Sequence, residues 1–229
     1  MQSDVRPLLA RTLPYVVVLW LLMALGSAWV WAQLPAEALL PVHFGLDGTV
    51  NRYGSKAEAL LTLPAVVLLI ALLLALLPWI EPRRRHLAQS MPAVVWILMA
   101  TMLFMAAIHA LMLAMALGHQ PPVGRVIGGL LAILWIVIGN VLGKLRSNFF
   151  VGIRTPWTLS SELSWQQTHR LAGKLFVAVG LLALLLAIFF GGRAALTALL
   201  GGTLVLVVVS IAYSWMIWRN DPARHTTGD

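Results

Sequence analysis

Residues Ala65–Leu77 read AVVLLIALLLALL, a run without one polar side chain. Extended to Leu60–Ile80, the run holds 21 residues with Thr62 as its one hydroxyl. A helix of that length rises about 32 Å, close to the roughly 30 Å hydrocarbon core of a bilayer. Inside lipid every backbone N–H and C=O must be bonded within the protein, which leaves helices and closed barrels. A barrel strand would alternate apolar and polar positions over about ten residues. This run does not alternate, so it is a transmembrane helix. The same reading, carried outward, finds five more spans: Leu13–Gln33, Met91–Leu117, Gly124–Gly143, Ala172–Phe190 and Ala194–Trp218.

Composition agrees. Hydrophobic residues make up 60% of the 229 and charged residues only 10%, against about 25% charged in a soluble domain. Nearly the whole chain is used in crossings, so one compact membrane domain is expected, with no separate soluble one. The absence of cysteine excludes disulfides and thiolate chemistry. The net charge of +8 sits in short loops beside apolar spans, where it sets orientation, so nucleic acid is not an expected partner. Twelve of the 16 Lys and Arg residues fall on one side: Arg6, Arg11, Arg83–Arg85, Lys144, Arg146, Arg154, Arg170, Lys174, Arg219 and Arg224. Arg52, Lys56, Arg125 and Arg193 fall on the other. The positive-inside rule then places both termini in the cytoplasm. Val30 and Ala32 would suit a signal-peptide cleavage site, but the apolar run from Tyr15 to Ala32 is longer than a usual signal core, so the first span is expected to stay. The expected fold is an all-α integral membrane protein of six transmembrane helices, with a long outer loop 1–2 and a long inner loop 4–5.

The inner stretch, Gly139–Arg170, reads GNVLGKLRSNFFVGIRTPWTLSSELSWQQTHR. It is denser in polar groups than a connector needs. Arg146 and Arg154 present planar donor forks suited to carboxylates, phosphates or lipid headgroups. Asn140 and Asn148 donate and accept. Trp157 and Trp165 are amphipathic rings of the interfacial kind. Thr155 before Pro156 reads as an N-cap and first helical position, and Ser160 or Ser161 before Glu162 as a second start. A short surface helix over about Ser161–Arg170 is expected.

The outer loop holds His43, Asp47, Asn51, Arg52, Tyr53, Lys56 and Glu58. Asp47-Gly48 is a turn signal, and Val42 and Phe44 favour strand, so a small hairpin closing the first two helices is predicted. His43 and Asp47 are too few for a metal site, which needs three or four ligands. Phe44, Arg52 and Tyr53 are types that anchor interfaces. In the third span, His109 is a functional candidate by depth alone. Met102, Met105 and Met112 share its face, a stripe read as packing, with a neutral His109 hydrogen-bonded to a neighbouring helix. Gly124-x-x-x-Gly128 and Gly139-x-x-x-Gly143 signal close helix packing, with Trp135 interrupting the face between them.

The residues Gly139-Asn140, Lys144-Leu145-Arg146-Ser147-Asn148, Gly152-Ile153-Arg154-Thr155-Pro156-Trp157-Thr158, Trp165 and Thr168-His169-Arg170 together resemble the signature of the SdpI family, bacterial membrane proteins named for immunity against a secreted peptide toxin. In the outer loop, Leu34-Pro35, Pro41-Val42-His43-Phe44-Gly45, Asp47-Gly48, Tyr53-Gly54 and Ser55-Lys56 resemble a small domain of unknown function that often precedes the SdpI segment. The resemblance implies a multi-pass protein of the bacterial cytoplasmic membrane. Residues 1–90 would form an N-terminal membrane segment carrying outer loop 34–59, and residues 91–229 an SdpI-like segment carrying inner motif 139–170. It also implies a toxin-immunity role.

Site residues are expected in two clusters. The inner one comprises Asn140, Lys144, Arg146, Asn148, Gly152, Arg154, Thr155, Pro156, Trp157, Trp165, His169 and Arg170. The outer recognition set is His43, Phe44, Asp47, Arg52, Tyr53 and Lys56. Besides the lipid bilayer, the expected partners are a peptide toxin and, at the inner loop, a cytosolic protein. No metal or cofactor is expected. There is no His-Glu-x-x-His, no Gly-x-Ser-x-Gly and no phosphate-binding glycine loop. Non-enzymatic protection is therefore expected, with the outer loop recognising a hydrophobic peptide and the inner motif holding the helices in place. The competing readings are a small transporter using His109, a sensor docking a cytosolic partner, and a headgroup enzyme using Arg146, Asn148 and Arg154 with His169 as general base.

Overall fold

The computed structural model describes residues 6–80 and 82–225. The elements run α1 (Arg6–Gln33), β1 (Leu39–Phe44), β2 (Val50–Ser55), α2 (Lys56–Ile80), α3 (Arg84–Ala116), α4 (Val123–Leu142), α5 (Pro156–Ser160), α6 (Glu162–Phe189) and α7 (Gly192–Arg219), followed by a 3₁₀ turn at Pro222–His225. All the helices but α5 are long and apolar enough to cross a membrane. Large apolar side chains point outward along them. Phe190, at the end of α6, and Leu204 are exposed at 76% and 69%, which only an apolar solvent such as lipid makes favourable.

Helices α1, α2 and α3 pack on one another, as do α4, α6 and α7, and the seam between the groups is α3 against α4. α3 serves both groups. Its first half, with Leu87, Met91 and Val94, joins Val141, Leu142, Leu145 and Trp165 in one core cluster. Further along, Met102 is buried with Val16, Met23 and Val67 from α1 and α2. In the second group Gly139 and Gly173 let α4 and α6 touch: a Cβ on Gly139 would stand 2.7 Å from the Gly173 carbonyl oxygen. Gly128 lies likewise against Ala195 of α7. Trp135 does not break this packing; its ring lies 5.6 Å from that of Phe176.

All six spanning helices begin earlier than their apolar runs, most of all α1 at Arg6, α3 at Arg84 and α6 at Glu162. Hydropathy marks the part of a helix that meets lipid, whereas the backbone hydrogen bonds continue until something stops them. This corrects one expectation. Residues 161–170 are not a separate surface helix but the first turns of α6, because Ser161 caps the helix and nothing between Arg170 and Ala172 breaks it. The short helix is α5, one loop earlier. It is capped by Thr155, whose hydroxyl accepts from the Thr158 amide while the Thr158 hydroxyl accepts from the Thr155 amide, with Pro156 at the first position.

Between α1 and α2 the predicted hairpin forms. β1 and β2 are antiparallel, with Leu40 opposite Gly54 and Phe44 opposite Val50. Gly45 and Thr49 close a three-residue loop, and Gly48 stands at φ +83°, the left-handed conformation such loops use. The hairpin tip rests on the start of α4, where a Cβ on Gly48 would fall 2.8 Å from the Gly124 nitrogen.

Candidate functional site

At the other end of the bundle the chain between α4 and α6 is a folded structure held by three buried side chains. Asn148 is fully buried and makes four bonds. Its Nδ2 donates to the Arg146 and Val151 carbonyls at 2.8 and 3.1 Å, and its Oδ1 accepts from the Phe150 and Val151 amides at 2.9 and 2.8 Å. One side chain thus replaces the backbone bonds that an irregular loop lacks. Trp165 is also fully buried, and its indole N–H donates to the Leu145 carbonyl at 2.8 Å. It is therefore a core residue and not an interfacial ring as expected. Because α6 starts at Glu162, Trp165 lies in the first turn and faces the cluster of α3 and α4.

His169 stacks on Trp165 with ring centroids 4.0 Å apart. Its Nε2 accepts from the Ile153 amide at 2.9 Å, so Nδ1 carries the proton and donates to the Trp165 carbonyl at 2.8 Å. Both ring nitrogens are engaged, and the ring is fully buried. Gly152, at φ +127°, makes this approach possible, since a Cβ there would lie 2.5 Å from His169 Nε2.

Other helices complete the platform. From the start of α3, His86 Nδ1 meets the Ser147 carbonyl at 2.9 Å, Ser90 Oγ accepts from the Arg146 amide at 2.8 Å, and Arg83 donates to Ser147 Oγ and to the Leu159 carbonyl. From α7, the Ser214 hydroxyl pairs with Thr155 at 3.1 Å, and its carbonyl accepts from Ser164 at 2.8 Å. Asp221, just after α7, accepts from the Ser161 hydroxyl at the N-terminus of α6, where the helix dipole favours negative charge.

The expected inner cluster is therefore divided. Asn148, Gly152, Thr155, Trp165 and His169 converge. Asn140, Lys144, Arg146, Arg154, Pro156 and Arg170 lie exposed around them, and Trp157 is half-buried. Arg154 turns back to the Phe149 carbonyl. The participation of Arg83, His86, Ser90, Ser161, Ser164, Ser214 and Asp221 was not read from sequence. Arg83 registered there only as a topology charge, and the serines carried no signal beyond the N-cap at Ser161.

The outer set is divided as well. His43 Nδ1 meets Asn51 Oδ1 at 2.6 Å, Arg52 pairs with Glu58 at 2.7 Å, and Tyr53 is 58% exposed. Phe44 is half-buried. Asp47 accepts from the Thr49 hydroxyl and amide at 2.7 and 3.1 Å, bonds that hold its carboxyl below the ordinary value of 3.8. Lys56 is buried. Its ammonium donates to the Trp31 and Leu34 carbonyls at 3.1 and 3.0 Å and sits over the Trp31 ring, so it ties off the end of α1. In the bundle, Pro64 has no N–H to give the Leu60 carbonyl. Ser27 Oγ supplies the missing bond at 2.7 Å and accepts from His109 Nε2 at 3.0 Å.

The loop held by Asn148, Trp165 and His169 lies in a stretch that matches a known family. Residues 144–214 match the SdpI/YfhL protein family. Residues 18–68, which include the hairpin, match a domain of unknown function, DUF1648. The immunity protein SdpI of Bacillus subtilis (strain 168) is 32% identical over 100 residues, 44% of this chain and 48% of that protein. The match thus spans about half the length of this relative. No solved structure matches significantly. The SdpI-like segment begins at Lys144 and ends at Ser214, so it takes in both partners of the Thr155–Ser214 contact.

Proposed function

We propose that this protein protects a bacterial cell against a membrane-active peptide toxin by binding the peptide without catalysis. In this reading the hairpin faces outward and recognises the peptide, and the SdpI-like platform faces the cytoplasm and holds the helices in register. Similarity to an immunity protein supports the role. The observation that carries the mechanism is the consumption of the platform's polar groups. A headgroup enzyme would need His169 as a base, yet both its nitrogens are engaged and its ring is buried. Asn148 has likewise used its whole bonding capacity. The hairpin, by contrast, offers His43, Arg52 and Tyr53 at its surface; His43 is held by Asn51 across the strands and Arg52 by Glu58 of α2, so these two lose little side-chain freedom on binding.

The test is expression in a sensitive strain challenged with a panel of membrane-active peptides. Substituting His43, Arg52 and Tyr53 by alanine should lower protection at unchanged protein level in the membrane. If protection survives those changes but disappears in Arg146→Ala or Arg154→Ala at normal level, the inner face carries the activity. A cytoplasm-only fluorescent reporter inserted near Gly48 should stay dark; a bright signal would invert the orientation.

A further inference from the structure

On the outer face of α4 and α6, away from the platform's core, lies an open groove of about 520 Å³. Its floor is backbone, at Gly139, Gly143 and Gly173. Arg170 and Lys174 stand at one end, and Val177, Ala178 and Leu181 line the other. The stem of Arg170 lies over Gly143, where a Cβ would be 3.4 Å from its Cγ. Both cations are exposed, and neither has an acidic partner among the described residues. No acidic residue lines the groove. Asn140 spends one amide hydrogen on the Ile136 carbonyl, leaving the other and its Oδ1 unused among the described residues.

Depth decides what this groove fits. Arg170 precedes Phe189, the end of α6, by 19 residues, or about 28 Å of helix, nearly the full hydrocarbon thickness. Arg170 therefore lies at the headgroup plane, Lys174 one turn deeper, and the Val177–Leu181 wall among acyl chains. A free polar solute would leave that wall unpaired, and a neutral lipid would leave the two cations without a counter-charge. We propose that the groove holds one anionic glycerophospholipid. Its phosphate lies between Arg170 and Lys174, its glycerol or headgroup hydroxyls meet Asn140, and the top of one acyl chain runs over the glycine floor toward Leu181. The proposal is independent of the toxin reading.

The test uses the purified full chain in detergent, titrated with phosphatidylglycerol, phosphatidylcholine or inorganic phosphate. Lipid adducts are read by native mass spectrometry and stability by thermal shift. Phosphatidylglycerol should bind at least tenfold more strongly than phosphatidylcholine, and inorganic phosphate should neither stabilise the protein nor displace the lipid. Replacing both Arg170→Gln and Lys174→Gln should weaken phosphatidylglycerol about thirtyfold, the loss usual for two basic side chains at an anionic surface. Ala178→Phe fills the groove from an exposed position and keeps both charges, so it too should lose binding at least tenfold. Because the two changes are independent, misfolding of either leaves the other to decide. Equal binding of the two lipids, protection by inorganic phosphate, or wild-type binding of phosphatidylglycerol by Ala178→Phe would each overturn the site.

Discussion

Replacing Asn148 by alanine removes four hydrogen bonds of 2.8–3.1 Å from a side chain with no exposed surface. Each ordinary bond contributes about 0.5–1.5 kcal/mol net, and a polar group left buried costs about 1–3 kcal/mol. Phe149 and Phe150 are 41% and 39% exposed, so water can reach part of the opened loop and the upper limits do not apply. A loss of about 3–4 kcal/mol is the reasonable sum. At about 2–4 °C per kcal/mol for a chain of this size, the melting temperature in detergent should fall by about 10 °C. Asn148→Asp keeps acceptors for the two amides but turns oxygen toward the Arg146 and Val151 carbonyls, so it should be no milder than alanine. Intrinsic tryptophan fluorescence on heating gives the melting temperature, since Trp165 sits against this loop, and limited proteolysis within residues 144–161 gives loop order. If Asn148→Ala melts within about 2 °C of the parent and its loop is cleaved no faster, the four bonds do not hold the platform, and the account of the inner motif fails.

Gly152→Ala should destabilise at least as much as one buried clash, about 1–3 kcal/mol, because φ is +127° and the new Cβ meets His169 Nε2; a melting temperature equal to the parent's would contradict it. Ser27→Ala should cost about 1–2 kcal/mol, and less in a Pro64→Ala background, where residue 64 can bond the Leu60 carbonyl itself; a double-mutant cycle with no coupling would refute the link. For Asp47 the sign follows from its lowered pKa: it stabilises the hairpin above its ordinary value of 3.8, and that contribution is lost as pH falls through the lower folded value. Asp47→Asn should remove this part of the acid transition, measured by proteolysis of the hairpin, and an unchanged transition would rule it out.

What could be read from the chain alone was local. Six spans follow from run length against bilayer thickness, a comparison needing no knowledge of neighbours. The hairpin follows from Asp47-Gly48, and the two helix starts from Thr155-Pro156 and Ser161. These signals work because caps and turns bond within about four residues. Residues of the inner motif could be picked out, but not what each does there. Asn148, Trp165 and His169 look like polar equipment for a ligand until their partners are seen. Lys56 looks like an outer-loop contact until it is found on the Leu34 carbonyl.

Only the tertiary structure settled these assignments, because their partners are distant in sequence. Ser90 meets Arg146, and Ser214 meets Thr155, across 56 and 59 residues. A hydrogen bond across such a gap leaves no periodicity or spacing for a sequence to show. The same holds for the groove, where Asn140 on one helix and Arg170 and Lys174 on another share a surface only because Gly139 and Gly173 bring α4 and α6 into backbone contact. Length and polarity determined how this chain meets the membrane. Which polar groups are consumed by the fold and which remain for a partner was decided by packing.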